Sequence, residues 1–343
     1  MNFDFSEDQK FLADQARKFL SETCTIPEVR KVLNDDAVAY NERVWNGVKE
    51  MGWLGAAIPE EFGGLGLNME EECLVGLELG QTSPAFRSVA GTNIGIGSQG
   101  LVMWGNDEQK AQWLPKIASG EVITSFCLTE PEAGSDAGSV KTRAERDGDH
   151  YILNGTKRYI TNANKADLLT VMARTDQNTP GGKGLSSFLV ETTTPGVTIG
   201  KPEKKMGQQG AHVCDVIFDN ARVPVANRLG EEGDGFKVAM SVLDRGRLHI
   251  SAVCTGVAER LISEMTNYAV ERKQFGEPIA NHQLVQAMMA DSYAEAYAAR
   301  CMVLDAAQKR DRGENVTLLA ASCKMFASEM VGRVADRAVQ VFG

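Results

Sequence analysis

No run of about twenty consecutive apolar residues occurs in this chain, so no membrane-spanning helix is predicted. Basic residues are the minority, 36 Lys and Arg against 46 Asp and Glu, for a formal net charge of -10. That balance argues against the basic face on which nucleic-acid binding depends. It does not exclude phosphate binding, for which a few local Arg or Lys side chains suffice. Histidine is scarce: the four, at 150, 212, 249 and 282, lack metal-ligand spacing, and no metal is expected. The seven cysteines are dispersed without a C-x-x-C pair, which predicts reduced thiols and a cytoplasmic protein. The start, Met1-Asn2-Phe3-Asp4-Phe5, has neither the basic residues nor the apolar core of a signal or transit peptide. Internal repeats and low-complexity tracts are lacking too.

The 343 residues, 43% of them apolar, predict two or three domains rather than one core. The first third has helical periodicity. Ser6 to Gln9 reads as a capping box, with Phe11, Leu12, Ala16, Phe19 and Leu20 on one face. Further helices are predicted over Glu42–Met51, Met69–Gly80 and Asp107–Ile117. The breaker-dense stretch from Trp53 to Gly66 reads as a structural connector. From Val122 the period becomes that of strands. Asp147-Gly148 and Asn154-Gly155 flank Tyr151–Leu153 as turn dipeptides, and Leu168–Ala173, Ser187–Val190 and Val213–Phe218 read as strands. After Gly235 long helices return, over Phe236–Arg272, Gln283–Arg310 and Leu318–Phe342. The expectation is a multidomain α+β chain: an N-terminal helical domain (1–121), a small antiparallel β domain (122–228) and a C-terminal helical bundle (229–343).

The most informative segment is Cys127 to Gly138, C-L-T-E-P-E-A-G-S-D-A-G. A Thr-Glu-Pro turn followed by Gly134, Ser135 and Asp136 lets a large polar ligand lie against the backbone, since glycine has no Cβ in the way. Tyr159-Ile160-Thr161-Asn162 follows. Together these segments resemble the first signature of the acyl-CoA dehydrogenases, and the order helical, β, helical is that family's domain order. The resemblance covers essentially the whole chain. It implies FAD as cofactor, an acyl-CoA as substrate, an electron-transfer flavoprotein as electron acceptor, and a homo-oligomer, a dimer of dimers.

By this resemblance Phe126, Leu128, Thr129, Gly134 and Ser135 line the flavin, Thr161 stands near its N5, and Ser135 also serves the substrate. Tyr159, beside Ile160, replaces the family's more familiar tryptophan with another flat face. Arg272 resembles the arginine that reaches a neighbouring subunit's FAD pyrophosphate, a task suited to the guanidinium fork. Gln274, Phe275, His282 and Gln283 belong to the same motif, and Gln340 to Gly343 looks like the start of a further signature over the adenylate half. In Leu243-Asp244-Arg245-Gly246-Arg247-Leu248, Asp244 and Arg247 share a helix face at i, i+3. The resemblance gives both to acyl-CoA binding.

α,β-Dehydrogenation also needs a base for the α proton. The family's usual glutamate lies beyond the signature that begins at Gln340, so a C-terminally truncated chain is expected, with the base unassigned. A minority of the family carry that glutamate at the place held here by Gly246. Glu130 belongs to the signature turn, and Glu259 and Glu264 occupy helix positions without that role. The expected activity is FAD-dependent oxidation of a saturated acyl-CoA to the trans-2-enoyl-CoA. The alternatives are a flavin monooxygenase or oxidase on the same fold and a non-catalytic FAD- or acyl-CoA-binding protein.

Overall fold

The structure is a computed structural model and describes residues 4–33 and 38–343. The N-terminal reading at Met1–Phe3 therefore lies outside the described residues. In chain order the helices are α1 (Glu7–Thr23), α2 (Ile26–Leu33), α3 (Glu42–Glu50), α4 (Met69–Gly80), α5 (Pro84–Thr92), α6 (Gln99–Trp104) and α7 (Asp107–Ala118). After the strands come α8 (Gly235–Glu271), α9 (Gln283–Asp311) and α10 (Thr317–Phe342). Capping boxes start three of them, Ser6 with Gln9, Asn68 with Glu71 and Asn106 with Gln109.

The chain gathers into two compact units. One comprises the chain up to Thr25, Asn68–Pro84 and Asp244–Gly343; the other comprises Ile26–Leu67 and Ala85–Leu243. In the first, α1, α4, α9, α10 and most of α8 enclose apolar clusters around Cys73, Leu77, Leu248 and Leu304 and around Ala258, Ala327 and Met330. Asp311, at the end of α9, accepts the amides of Met69 and Glu70 at 2.8 and 3.0 Å and so closes the start of α4. Where α4 and α8 meet, a Cβ on Gly256 would stand 1.9 Å from the Leu77 carbonyl oxygen, so only glycine permits the approach. A short hairpin, Lys273–Gln274 with Glu277–Pro278, links α8 to α9.

The second unit is built on an eight-stranded sheet: β1 (Thr124–Cys127), β2 (Arg143–Asp147), β3 (His150–Thr161), β4 (Leu168–Arg174), β5 (Leu185–Glu191), β6 (Val197–Ile199), β7 (Val213–Pro224) and β8 (Arg228–Leu229). The order is β6-β7-β3-β2-β4-β5-β8, with β1 added beside β4. β1 and β2 meet β4 in parallel and the other pairings are antiparallel. Tyr151, Leu153, Ile160, Val171, Phe188 and Val216 form its main core, with the Tyr151 and Phe188 rings edge to face at 4.9 Å. The Trp53–Gly66 connector folds on itself: the Leu65, Gly66 and Leu67 amides donate to the Gly55, Ile58 and Ala56 carbonyls.

One turn expectation fails. Asn154-Gly155 is not a hairpin turn, because β3 runs through it from His150 to Thr161. The ladder with β7 shifts register between Leu153 and Gly155 instead. A Cβ on Gly155 would meet Thr142 at 2.5 Å, so the glycine serves a bulge and a close approach. Among the described residues no helix is long and apolar enough to cross a membrane.

Candidate functional site

Two strands deliver the signature segments in the sheet-bearing unit. β1 ends at Cys127 and runs into the Leu128-Thr129-Glu130 turn; β3 ends at Tyr159-Ile160-Thr161. The Ser125 hydroxyl donates to the Thr161 carbonyl at 2.6 Å, and the Arg158 amide donates to the Thr129 carbonyl at 2.8 Å. The segment bearing Phe126, Leu128 and Thr129 is thereby joined to the one bearing Tyr159, Ile160 and Thr161. Phe126 and Leu128 pack with Val238 and Val242, and Ile160 belongs to the sheet core. Thr129 and Thr161 are half-buried.

Tyr159 owes its position to a second irregularity. Between Lys157 and Ile160 the ladder shifts again, placing Arg158 and Tyr159 opposite Asp215 alone. Arg158 grips Asp215 through two bonds of 3.2 and 2.9 Å, while Tyr159 takes φ 59° and stays 61% exposed. A left-handed, exposed aromatic is unfavourable for the chain by itself. Its ring is offered outward as a flat apolar face.

The turn itself is held from within. The Glu130 amide donates to the Ala133 carbonyl and the Ala133 amide returns the bond. The Glu130 carboxylate accepts the Lys141 amide at 2.7 Å, the Thr142 amide at 2.9 Å and the Lys157 ammonium at 2.8 Å. Burial alone would raise its pKa, but Lys157 and these donors outweigh burial and hold it below the ordinary carboxylate range. Beyond the turn, Gly134 and Ser135 are exposed, and a Cβ on Gly134 would meet only open space. Cys127 is fully buried, and burial pushes its thiol up to about 12, so it stays protonated.

In the other unit, Asp244 and Arg247 pair across one turn of α8 at 2.5 Å. The Thr317 hydroxyl, at the start of α10, donates to the second oxygen of Asp244 at 2.7 Å. Neighbouring Arg245 forms an ion pair with Glu72 of α4, both largely buried. Gly246 presents no side chain here. The carboxylates considered at the sequence level are engaged: Glu259 with Arg300 at 2.8 Å and Glu264 with Arg260 at 2.6 Å.

The hairpin after α8 carries Arg272, Gln274 and Phe275, all exposed. Its tip, Phe275-Gly276, has φ 54° and 86°, the two-residue turn in which both residues are left-handed. Phe275 is 95% exposed, its ring edge-on to His282 at 5.7 Å. His282 Nε2 is buried without a hydrogen-bond partner among the described residues, and Gln283 is exposed at the start of α9. Gln340 and Gly343, on and just after α10, are exposed as well.

The sequence reading missed Ser125, Lys157, Arg158 and Thr317. Lys157 lies on the inward side of β3 and is wholly buried, a place that shows only once β3 is seen to run through Asn154-Gly155.

Three domain models match the chain: the acyl-CoA dehydrogenase N-terminal domain over residues 6–121, the middle domain over 125–221 and the C-terminal domain over 233–343. An acyl-CoA dehydrogenase of Bacillus subtilis is 38% identical over 338 residues, covering 98% of this chain and 86% of that protein. Among solved structures, butyryl-CoA dehydrogenase from Megasphaera elsdenii superposes with a TM-score of 0.93 at 34% identity, covering 100% of this chain and 90% of that one. An acyl-CoA dehydrogenase from Bacillus anthracis, solved with FAD, gives a TM-score of 0.88 at 33% identity, covering 99% of this chain and 60% of that one.

Proposed function

This chain belongs to the acyl-CoA dehydrogenase family, and we propose that it oxidises a saturated acyl-CoA thioester to the trans-2-enoyl-CoA and passes the electrons to an electron-transfer flavoprotein. The observation that carries the reading is the joining of the Thr129 turn to the Tyr159 bulge by the Arg158 amide. It makes one cradle from two segments distant in sequence.

The cradle fits FAD. Tyr159 offers a ring for the isoalloxazine to pack against, and Thr129 and Thr161 offer hydroxyls to its polar edge. Among the described residues no atom lies within 4 Å of where a Gly134 Cβ would go, which suits a pyrophosphate lying against the backbone beside Ser135. When bound, FAD supplies the acceptor for the substrate's β hydride. The chain's own task is to fix the thioester and keep water away. Asp244 and Arg247, held rigidly by each other and by Thr317, are assigned to the acyl-CoA. Glu130, Glu259 and Glu264 are each bound to a cation, so none is assigned the α proton. We place the domains at 1–121, 122–228 and 229–343.

A homo-oligomer is part of the proposal. Arg272, Gln274, Phe275, His282, Gln283, Gln340 and Gly343 are assigned to the FAD of a neighbouring subunit. Support comes from Phe275, a bare aromatic at a left-handed hairpin tip, and from exposed Leu284, Tyr293, Tyr297, Leu318 and Val339 on α9 and α10. The cofactor-loaded protein is expected to run in light scattering as a multimer.

The decisive experiment is an anaerobic titration of the FAD-loaded protein with saturated acyl-CoAs of several lengths. The visible flavin band should shift on binding and bleach with the preferred chain, and electron-transfer flavoprotein should restore it faster than oxygen does. A band that no acyl-CoA shifts or bleaches would sink the assignment. Fast recovery in air alone would move it to the oxidases.

A further inference from the structure

Among the described residues Lys157 is the only lysine in the set of largest fully buried side chains, at 0% exposure, and the proposed chemistry does not use it. Its ammonium donates to the Leu128 carbonyl at 3.1 Å and to the Glu130 carboxylate at 2.8 Å. The next residue, Arg158, donates its amide to the carbonyl between them, that of Thr129. Adjacent residues of β3 therefore hold three consecutive residues of the signature turn. Immediately after them the strand bulges to expose Tyr159.

Such an arrangement is costly as plain architecture. An apolar side chain at this inward position would pack without desolvating two charges, and replacing a buried ion pair by apolar groups is often neutral or stabilising. Both bonds of the ammonium run to the turn, so its effect is local and directional. It sets the path of Leu128-Thr129-Glu130 relative to the strand that carries Tyr159 and Thr161.

We propose that Lys157 is a positioning residue for the flavin: by fixing the Leu128 carbonyl and the Glu130 carboxylate it sets how Thr129 meets the isoalloxazine edge and aligns both halves of the cradle. The inference rests on the reading of this cradle as the FAD site. It predicts that the cofactor's spectrum and affinity, beyond the protein's stability, depend on this one ammonium.

The test compares wild type, Lys157→Met and the double variant Glu130→Gln/Lys157→Met by urea denaturation, FAD titration and the visible flavin spectrum. Lys157→Met strands the Glu130 charge, so a loss of stability and of FAD affinity is expected together. The double variant removes both charges and should recover the urea midpoint. It should still hold FAD about tenfold or more weakly, with a shifted visible band, because charge-assisted contacts to the turn are gone. Wild-type affinity and spectrum in a folded double variant would overturn the proposal. Lys157→Arg is the second arm should the double variant not fold: it keeps the charge but misplaces it, so a shifted band is expected and an unshifted one overturns the proposal. A wild-type chain that retains no FAD would sink the cradle reading itself, whatever the variants do.

Discussion

Thr317 donates its hydroxyl to Asp244 across 2.7 Å, so the start of α10 fixes a carboxylate that already holds Arg247 one turn along α8. Asp244 is 9% exposed, and each of its oxygens is thereby given one defined partner. A valine at 317 keeps the shape and removes the donor. Thr317→Val is expected to cost about 1 kcal/mol of stability and to raise KM for the acyl-CoA by about three- to tenfold, with kcat nearly unchanged. Steady-state kinetics with an electron-transfer flavoprotein as acceptor checks the split. An unchanged KM would separate Asp244 from substrate binding.

Glu28 gives the protein an acid-sensitive point in the sheet-bearing unit. Its carboxylate accepts Lys31 at 2.8 Å, Asn41 at 2.9 Å and Arg43 at 3.2 Å, and Lys31 first, then Asn41, hold its pKa at about 2 against an ordinary 4.5. A pKa lower in the folded than in the unfolded chain means that the stabilisation is complete above pH 4.5 and disappears as pH falls toward 2. Glu28→Gln is expected to lower stability by about 1–2 kcal/mol at pH 7. The gap between variant and wild type should narrow steadily from pH 4.5 to pH 2.5. Urea melts across that range read it directly, and a gap independent of pH would show that the charge contributes nothing.

Gly256 makes a steric prediction. Because its Cβ would stand 1.9 Å from the Leu77 carbonyl and 3.1 Å from Gly80 Cα, an alanine must push α4 and α8 apart along backbone that cannot yield. Gly256→Ala should cost about 3 kcal/mol or more, at the upper end of overpacking effects. The readout is the urea midpoint. A loss under about 1 kcal/mol would mean that the helices separate easily, and this crossing would then be less tightly packed than its geometry implies.

What the sequence made legible follows the range of the interactions. The long helices were readable because periodicity is local: Phe236–Arg272 is offset by one residue at each end from α8, and Leu318–Phe342 starts one residue after α10 and ends with it. Phe326 and Met330, four residues apart on α10, line a core, whereas Leu284, four residues before Met288 on α9, is 79% exposed, since periodicity names a face without saying what covers it. α5 and α6 escaped notice because Gly91, Gly95, Gly97 and Gly100 dilute the helical signal. Asn154-Gly155 has turn chemistry but serves a bulge, since the need for glycine comes from Thr142, the residue just before β2. The motif residues of the cradle could be found in order along the chain. The bonds that join them, Ser125 to Thr161 and Lys157 to Glu130, span 36 and 27 residues and became visible only with the fold.

Tyr159 should separate stability from function. Its φ of 59° is a conformation that costs an aromatic residue about 1–3 kcal/mol and glycine nothing. Its ring, 61% exposed, gives little back to the folded chain apart from a position 5.8 Å from the Arg158 guanidinium. Tyr159→Gly therefore releases the strain while adding some freedom to the unfolded chain, and its urea midpoint should equal or slightly exceed that of wild type. If the ring is there for the flavin, the same variant should bind FAD about tenfold more weakly, since a stacked aromatic contributes about 0.5–1.5 kcal/mol beyond the area it covers. Tyr159→Trp should keep the affinity, because it offers the larger face at the same backbone angle. A glycine variant that gains stability and keeps its FAD would remove Tyr159 from the cradle; one that gains stability and loses FAD would show that the strain is tolerated for the sake of the cofactor.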